Sequence, residues 1–288
     1  MNDDSEPVRT AAARRAAELA LVRVVHHYGG RPEFVLLGGL VPALLCSNSS
    51  KRHAGTSDVD VQVNLEIAGG AVQAARLEEA LLNTGFEPDD ERVWRWVLND
   101  PDGVRATVKF ELLADLDNKR NNATVEFTGC KHLGAANLRG TGYAARDIVI
   151  QKIRANDHGT RREAEINVTG LAGFLLAKVA AAHGRRKEKD WYDVAFVLLH
   201  NDHGDATAAA ERVLEVFGPP TGEMRTQLLD LQANFADSSA QGSQAYVKQF
   251  IENHPDEDAE TAATDSQLAV AAFTERLLRS ASSFGLGN

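Results

Sequence analysis

The chain has 288 residues, 43% apolar and 25% charged, which is enough for a buried core in one large or two ordinary domains. Its net charge of −10, from 41 acidic and 31 basic residues, argues against a non-specific duplex binder, because such binding rests on neutralising phosphates; a local basic patch can still hold a short RNA end. Two cysteines, Cys46 and Cys130, make neither a disulfide framework nor a zinc site, and an acidic, polar beginning without any apolar run of membrane-spanning length sets the expectation of a cytoplasmic protein.

Residues 6–28 read as a helix with Ala12, Leu19, Val22 and Val25 at core spacing. Gly29-Gly30 stops it, and His26-His27 suit the negative end of its dipole. Residues 34–37 are an apolar strand ending in Gly38-Gly39. A short amphipathic segment, residues 40–46, follows, and a basic loop then leads into Thr56-Ser57-Asp58-Val59-Asp60-Val61. Residues two apart on a strand share a face, so Asp58 and Asp60 project together while Val59, Val61 and Val63 point the other way. Two adjacent carboxylates repel unless a cation lies between them, and a hard divalent ion, Mg²⁺ for preference, suits their oxygens. The glycine pair lets backbone N–H groups approach a phosphate at a helix start. Alone, Gly-Gly is most often a turn and Asp-x-Asp a solvated face. Together, after an apolar strand, they read as handling of a nucleoside triphosphate.

Gly69-Gly70 opens a helix to about Asn83, with Ala74, Leu77, Ala80 and Leu81 on one face and Gly85 at its end. Residues 92–98 alternate as a strand, with Trp94, Trp96 and Leu98 on one side; the tryptophans read as core rather than as platforms for bases. Asn99-Asp100-Pro101-Asp102-Gly103 is a hairpin signal. Residues 104–113 return, with Val108, Phe110 and Leu112 on one face and Lys109 and Glu111 on the other. A loop at residues 115–122 precedes short strands at 123–127, 146–153 and 162–168. The first two are linked by a glycine-rich segment, residues 129–142, whose Lys131, His132 and Arg139 have solvent as their default surroundings.

From Gly170 the period becomes helical. Leu171, Leu175, Lys178, Ala181 and Ala182 share one side of a helix ending near His183-Gly184. The basic run Arg185-Arg186-Lys187-Glu188-Lys189 follows, and a new helix begins at Asp190 with Val194, Val197 and Leu198 apolar. Residues 206–217, 222–235, 244–252 and 257–280 are helical in pattern, broken at Gly218-Pro219-Pro220 and Asn253-His254-Pro255. The domain boundary falls near residue 169, giving domains 1–169 and 170–288.

Metal-assisted transfer of a nucleotide asks for a third carboxylate, because two ions clamp the attacking and leaving oxygens. Glu111 is the candidate, on a strand long enough to lie beside Asp58 and Asp60. Lys109 would pair with a phosphate oxygen or offset carboxylate repulsion. The competing reading makes Lys109 and Glu111 the polar face of a half-exposed sheet.

Four stretches together resemble the AbiEii-type nucleotidyltransferases, the toxin half of bacterial toxin–antitoxin and phage-resistance pairs. Gly38-Gly39 with Thr56-Ser57-Asp58-Val59-Asp60 is similar to the family's glycine pair and hydroxyl-x-Asp-x-Asp signature. Val108-Lys109-Phe110-Glu111-Leu112 resembles its Lys-x-Asp strand, with Glu where Asp is commoner. Leu171 through Lys178 to Ala181 resembles its helix motif, and Lys189-Asp190-Trp191-Tyr192-Asp193 its basic-Asp-x-x-Asp motif. The loop between Gly39 and Asp58 is longer than usual for the family.

The resemblance implies an α+β fold: an N-terminal nucleotidyltransferase domain with a mixed sheet flanked by helices, then an all-helical domain. It implies Asp58, Asp60 and Glu111 as ligands of two Mg²⁺ ions, or Mn²⁺ in their place. Gly38, Gly39, Thr56, Ser57 and Lys109 would bind the NTP, Lys178 would contact its triphosphate or the attacking group of the acceptor, and Asp190 or Asp193 would position that acceptor. Asp190 also fits an N-cap with Asp193 as a weak capping-box partner, and Lys178 on an apolar face either snorkels or has a task. Arg185, Arg186 and Lys187, with Lys189, are either a solvated turn or a grip on acceptor phosphates. The implied acceptor is the 3′ end of tRNA, and the implied partner an antitoxin. The other readings are the same chemistry on a small molecule such as an aminoglycoside or on a protein hydroxyl, and an inactive nucleotidyltransferase fold serving as a binding module.

Overall fold

The computed structural model describes residues 10–63, 71–99 and 107–284. The chain divides into two compact units. One takes in the residues up to Val41 with Gly55–Thr169, the other Pro42–Ala54 with everything from Gly170. The sequence alone groups 42–54 with the first domain; its contacts group it with the second.

The first unit begins with helix α1 (Ala11–Tyr28). The Thr10 hydroxyl caps it by accepting the Ala13 N–H at 3.1 Å, and Gly29 closes it at φ +76°. Ala12 is exposed, contrary to its expected core position. Leu19, Val22 and Val25 are buried as expected, and the buried surface extends through Ala13, Ala16, Ala17, Leu21 and Val24. Strand β1 (Val35–Leu37) passes into a 3-10 turn at Gly38–Leu40, and helix α2 (Pro42–Leu45) that follows belongs to the second unit. Next come β2 (Asp58–Gln62), α3 (Ala71–Thr84), β3 (Glu87–Pro88), β4 (Arg95–Asn99) and β5 (Thr107–Ala114). Then follow β6 (Thr124–Glu126), β7 (Gly134–Asn137), β8 (Ile148–Asp157) and β9 (Thr160–Thr169). Gly69-Gly70 and the hairpin residues 100–103 lie outside the described residues.

The strands form one mixed sheet in the order β3-β4-β5-β2-β1-β9-β8, with β7 paired to the far end of β5 and β6 to β7. β2 runs antiparallel to β1 and parallel to β5. One face is wholly apolar: Leu36, Val59, Val61, Trp96, Val108, Phe110, Leu112, Ile166 and Val168 have no accessible surface. α1 packs on the sheet and α3 on α1, giving the flanking layer that the alternating pattern demands. Phe110 sits edge-on to both Phe34 and Phe86, with ring centroids 5.9 Å away in each case.

Two expectations fail here. Trp94 does not share the side of Trp96, because the strand starts only at Arg95, after a turn closed by the Arg95 N–H on the Arg92 carbonyl. It packs instead with Val35, Leu37, Leu113 and Ala144 on the opposite face. The glycine-rich stretch 129–142 is not a plain linker, since it holds β7 and opens a 3-10 segment, Thr141–Arg146. Asp115 orders that segment by accepting the N–H groups of Gly140 and Gly142. Arg139 is turned towards Asp115 and Asp117, while Lys131 and His132 are exposed and give only their backbone N–H groups, to Glu78.

The second unit is helical: α4 (Leu171–Arg185), α5 (Glu188–His200), α6 (Ala206–Phe217), α7 (Gly222–Asn234), α8 (Gln241–Asn253) and α9 (Ala259–Phe284). α5 packs against α4, α8 and α9 and is buried all round from Asp190 to Leu198. The strap 42–54 is tied down along its length. Ser47 and Asn48 give their N–H groups to the Asp202 carboxylate at 3.0 and 2.9 Å. Lys51 pairs with Glu257, and the Arg52 carbonyl accepts from His254 at 2.9 Å. Among the described residues no helix is long and apolar enough to cross a membrane.

Candidate functional site

Strand register assembles the polar face of the first unit. Leu37 lies opposite Asp60, Asp60 opposite Glu111, and Glu111 opposite Arg95, making one rung across four strands. The next rung sets Asp58 beside Lys109. Paired residues share a face, so Asp58, Asp60, Glu111, Lys109 and Arg95 stand together on the side away from α1. Asp58 is buried, and Asp60, Lys109 and Glu111 are half-buried.

The glycine pair is there for space. A Cβ on Gly38 would lie 1.9 Å from Asp60 Oδ2, and one on Gly39 would lie 2.8 Å from Thr56 Cβ. Gly38 also sits at φ +78°, where a side chain is strained. The Thr56 hydroxyl accepts the Asp58 N–H at 3.0 Å, and the Ser57 carbonyl accepts the Lys109 N–H at 3.2 Å. Both residues therefore fix the start of β2. The pair sits in a 3-10 turn rather than at the head of a long helix, so a helix dipole adds little to anion binding there. What remains are the backbone N–H groups of two buried glycines packed against Asp60 and Thr56.

The donor chemistry of Asp58 and Asp60 fits a hard divalent cation, with two carboxylates on one face of one strand. Glu111 shares the face but is engaged by Arg95, whose Nε and Nη2 approach its Oε1 at 2.6 and 2.5 Å. Among the described residues no group of three His, Cys, Asp or Glu is gathered closely enough to hold a metal. Arg95 was not singled out from the sequence, because a cross-strand partner is visible only once β4 is registered on β5.

In the second unit, Lys178 of α4 is 7% exposed and meets two carboxylates of α5. Its Nζ lies 3.1 Å from Asp190 Oδ1 and 2.7 Å from Asp193 Oδ2. The ammonium is neither snorkelled nor in an apolar setting. Burial pulls the Lys178 pKa down, but Asp193 and Asp190 outweigh it and hold it above the ordinary value. Asp190 is fully buried. Burial pushes its carboxyl up, and Lys178 and Arg185 more than reverse that, leaving it at about 2. Asp190 is not an N-cap: α5 starts two residues earlier, with Lys187 at the cap position, and Asp190 stands in the first turn, where the dipole favours it.

Arg185 clasps Asp190 at both oxygens, 2.6 and 2.8 Å, and Arg186 holds Asp230 at 2.8 Å. Both guanidinium groups are thus committed within the unit, whereas Lys187 is exposed and Lys189 half-buried. In this unit sequence reasoning missed His53. Its Nε2 lies 2.9 Å from Asp193 Oδ1, and its side chain is wholly buried. In the sequence it is one member of a basic run, Lys51-Arg52-His53, and nothing there separates it from its neighbours.

Residues 20–265 match the family model described as nucleotidyl transferase AbiEii toxin, type IV TA system. Among solved structures, an antigenic nucleotidyltransferase-like protein from Paracoccidioides brasiliensis is similar at 14% identity and a TM-score of 0.37. The match covers 90% of this chain and 95% of that one. No curated protein matches the chain.

Proposed function

Because the chain belongs to the nucleotidyl transferase AbiEii toxin family of type IV toxin–antitoxin systems, and is thereby a nucleotidyltransferase, we propose that it moves a nucleoside monophosphate from an NTP to the 3′ end of tRNA. Family membership implies a nucleotide substrate and an antitoxin partner. The observation that carries the reading is the rung joining Asp60 to Glu111, with Gly38 held against Asp60. It puts acidic groups beside a glycine bend, whose backbone N–H groups the reading assigns to a phosphate.

In the transfer, the acceptor hydroxyl attacks the α-phosphorus, the bond to the β-phosphate oxygen breaks, pyrophosphate leaves and the hydroxyl proton is lost. Asp58 and Asp60 would hold the Mg²⁺, with Glu111 as the third carboxylate on that face; the cation supplies neutralisation of phosphate charge when bound. Gly38 and Gly39 would bind the β- and γ-phosphates, with Thr56 and Ser57 fixing the strand beside them and Lys109 balancing the carboxylates. Lys178 is assigned to the triphosphate or the attacking group, and Asp190 and Asp193 to acceptor positioning. Of the basic turn, Lys189 is assigned to acceptor phosphates; Arg185 and Arg186 would reach them only by giving up Asp190 and Asp230. Positioning and charge neutralisation account for most of the catalysis in such transfers.

The test is incubation with labelled NTPs and separate pools of total tRNA, protein and aminoglycoside. Label is expected in tRNA. Label in another pool moves the acceptor, and none in any pool removes the activity. Asp58→Ala is expected to lower transfer by at least about 100-fold while leaving the thermal melt near wild type. Undiminished labelling by that variant removes Asp58 from the site.

A further inference from the structure

We propose that His53 is a positioning residue that acts through Asp193 on Lys178. The inference rests on the transferase reading above and extends it to a residue no motif contains.

The geometry is a chain of three groups. An ionised carboxylate can only accept, so His53 Nε2 carries the hydrogen and donates it to Asp193 Oδ1 at 2.9 Å. That leaves Asp193 Oδ2 for the Lys178 ammonium, at 2.7 Å. The imidazole has little freedom to choose another direction. Tyr192 and Phe196 both stand with ring centroids 5.1 Å from it, tilted at 36° and edge-on at 75°. The Tyr192 hydroxyl accepts the N–H of the adjoining Ala54 at 3.1 Å. His53 is thus a rigid donor that fixes which way the Asp193 carboxylate faces, and the carboxylate fixes the ammonium. A wedge serving stability alone would need packing but no N–H at this atom.

Three variants separate those roles. A glutamine amide nitrogen reaches roughly the place of Nε2, an asparagine amide falls short, and alanine offers no donor. His53→Ala and His53→Asn are expected to lower kcat by about 10- to 100-fold with little change in KM for NTP, the scale of loss that follows misplacement of a reacting group. His53→Gln is expected to recover most of the rate. A second readout needs no turnover. Acylation of the Lys178 amine, followed by mass spectrometry, should rise several-fold in His53→Ala and His53→Asn and stay near wild type in His53→Gln. Unchanged Lys178 labelling in His53→Ala, or a glutamine variant as impaired as the alanine one, overturns the proposal. An inactive wild type sinks the transferase reading alone, and the labelling still decides the part played by His53.

Discussion

At the scale of single residues, the second unit gathers three charged groups, Lys178, Asp190 and Asp193, each less than a tenth exposed. Removing one member of a buried set is far more costly than the set is worth, because the survivors keep their charge and lose their partner. Asp190→Asn leaves Lys178 and Arg185 facing an amide, and is expected to cost about 3–5 kcal/mol at neutral pH, read from the urea midpoint of the helix signal. The pH dependence has a definite sign. Asp190 titrates at about 2 when folded against 3.8 ordinarily, so the unfolded chain takes up its proton first as pH falls. Its stabilisation is full above about pH 4 and lost on the way down to about pH 2. Lys178 works at the other limit. Held above 10.5, its contribution is full below that pH and lost as pH rises through its folded value. The wild-type midpoint should therefore decline below pH 4, and Asp190→Asn should flatten that decline; an equal decline in both would contradict the assignment.

At the scale of elements, two glycines with left-handed backbones make a controlled pair. Gly159 sits in the β8–β9 turn at φ +84°, with nothing within 4 Å of an added Cβ. Gly38, at φ +78°, would drive that atom into the Asp60 carboxylate. Gly159→Ala is expected to cost about 1–2 kcal/mol, from backbone strain alone, and to leave transfer intact. Gly38→Ala should cost more and abolish transfer, because Asp60 has to move. Denaturation midpoints and the labelling assay read both; a Gly38→Ala enzyme of full activity would show that the Asp60 position is immaterial. The hairpin also shows where pattern reading falls short. Residues 146–153 and 162–168 were legible as strands, but the pair is longer, running Ile148–Asp157 and Thr160–Thr169 around His158-Gly159. Both turn residues have positive φ, as a twisted two-residue turn requires.

For the whole molecule, the departure that matters is the strap Pro42–Ala54. It leaves the glycine pair, is built into the helical unit and returns just before Asp58. A cut near residue 169 therefore does not free a complete helical unit. A fragment of residues 170–288 is expected to be less stable than the same helices in the whole chain. The Asp193 oxygen left without His53 contributes about 1–3 kcal/mol of that loss. A synthetic peptide of residues 42–54 should restore part of it; circular dichroism melts with and without peptide decide the matter.

The sequence by itself determined what depends on short-range period and chemistry: the two-residue alternation that puts Asp58 with Asp60 and Lys109 with Glu111, the helical run from Gly170, and the stops at Gly29 and Gly85. Those follow from backbone geometry that each segment carries with it. Only the tertiary structure decided who faces whom: Asp60 on Gly38, Glu111 on Arg95, His53 on Asp193, and Lys178 on Asp190 and Asp193. Each of those depends on strand register or helix packing between residues far apart in the chain, and no local pattern encodes that distance.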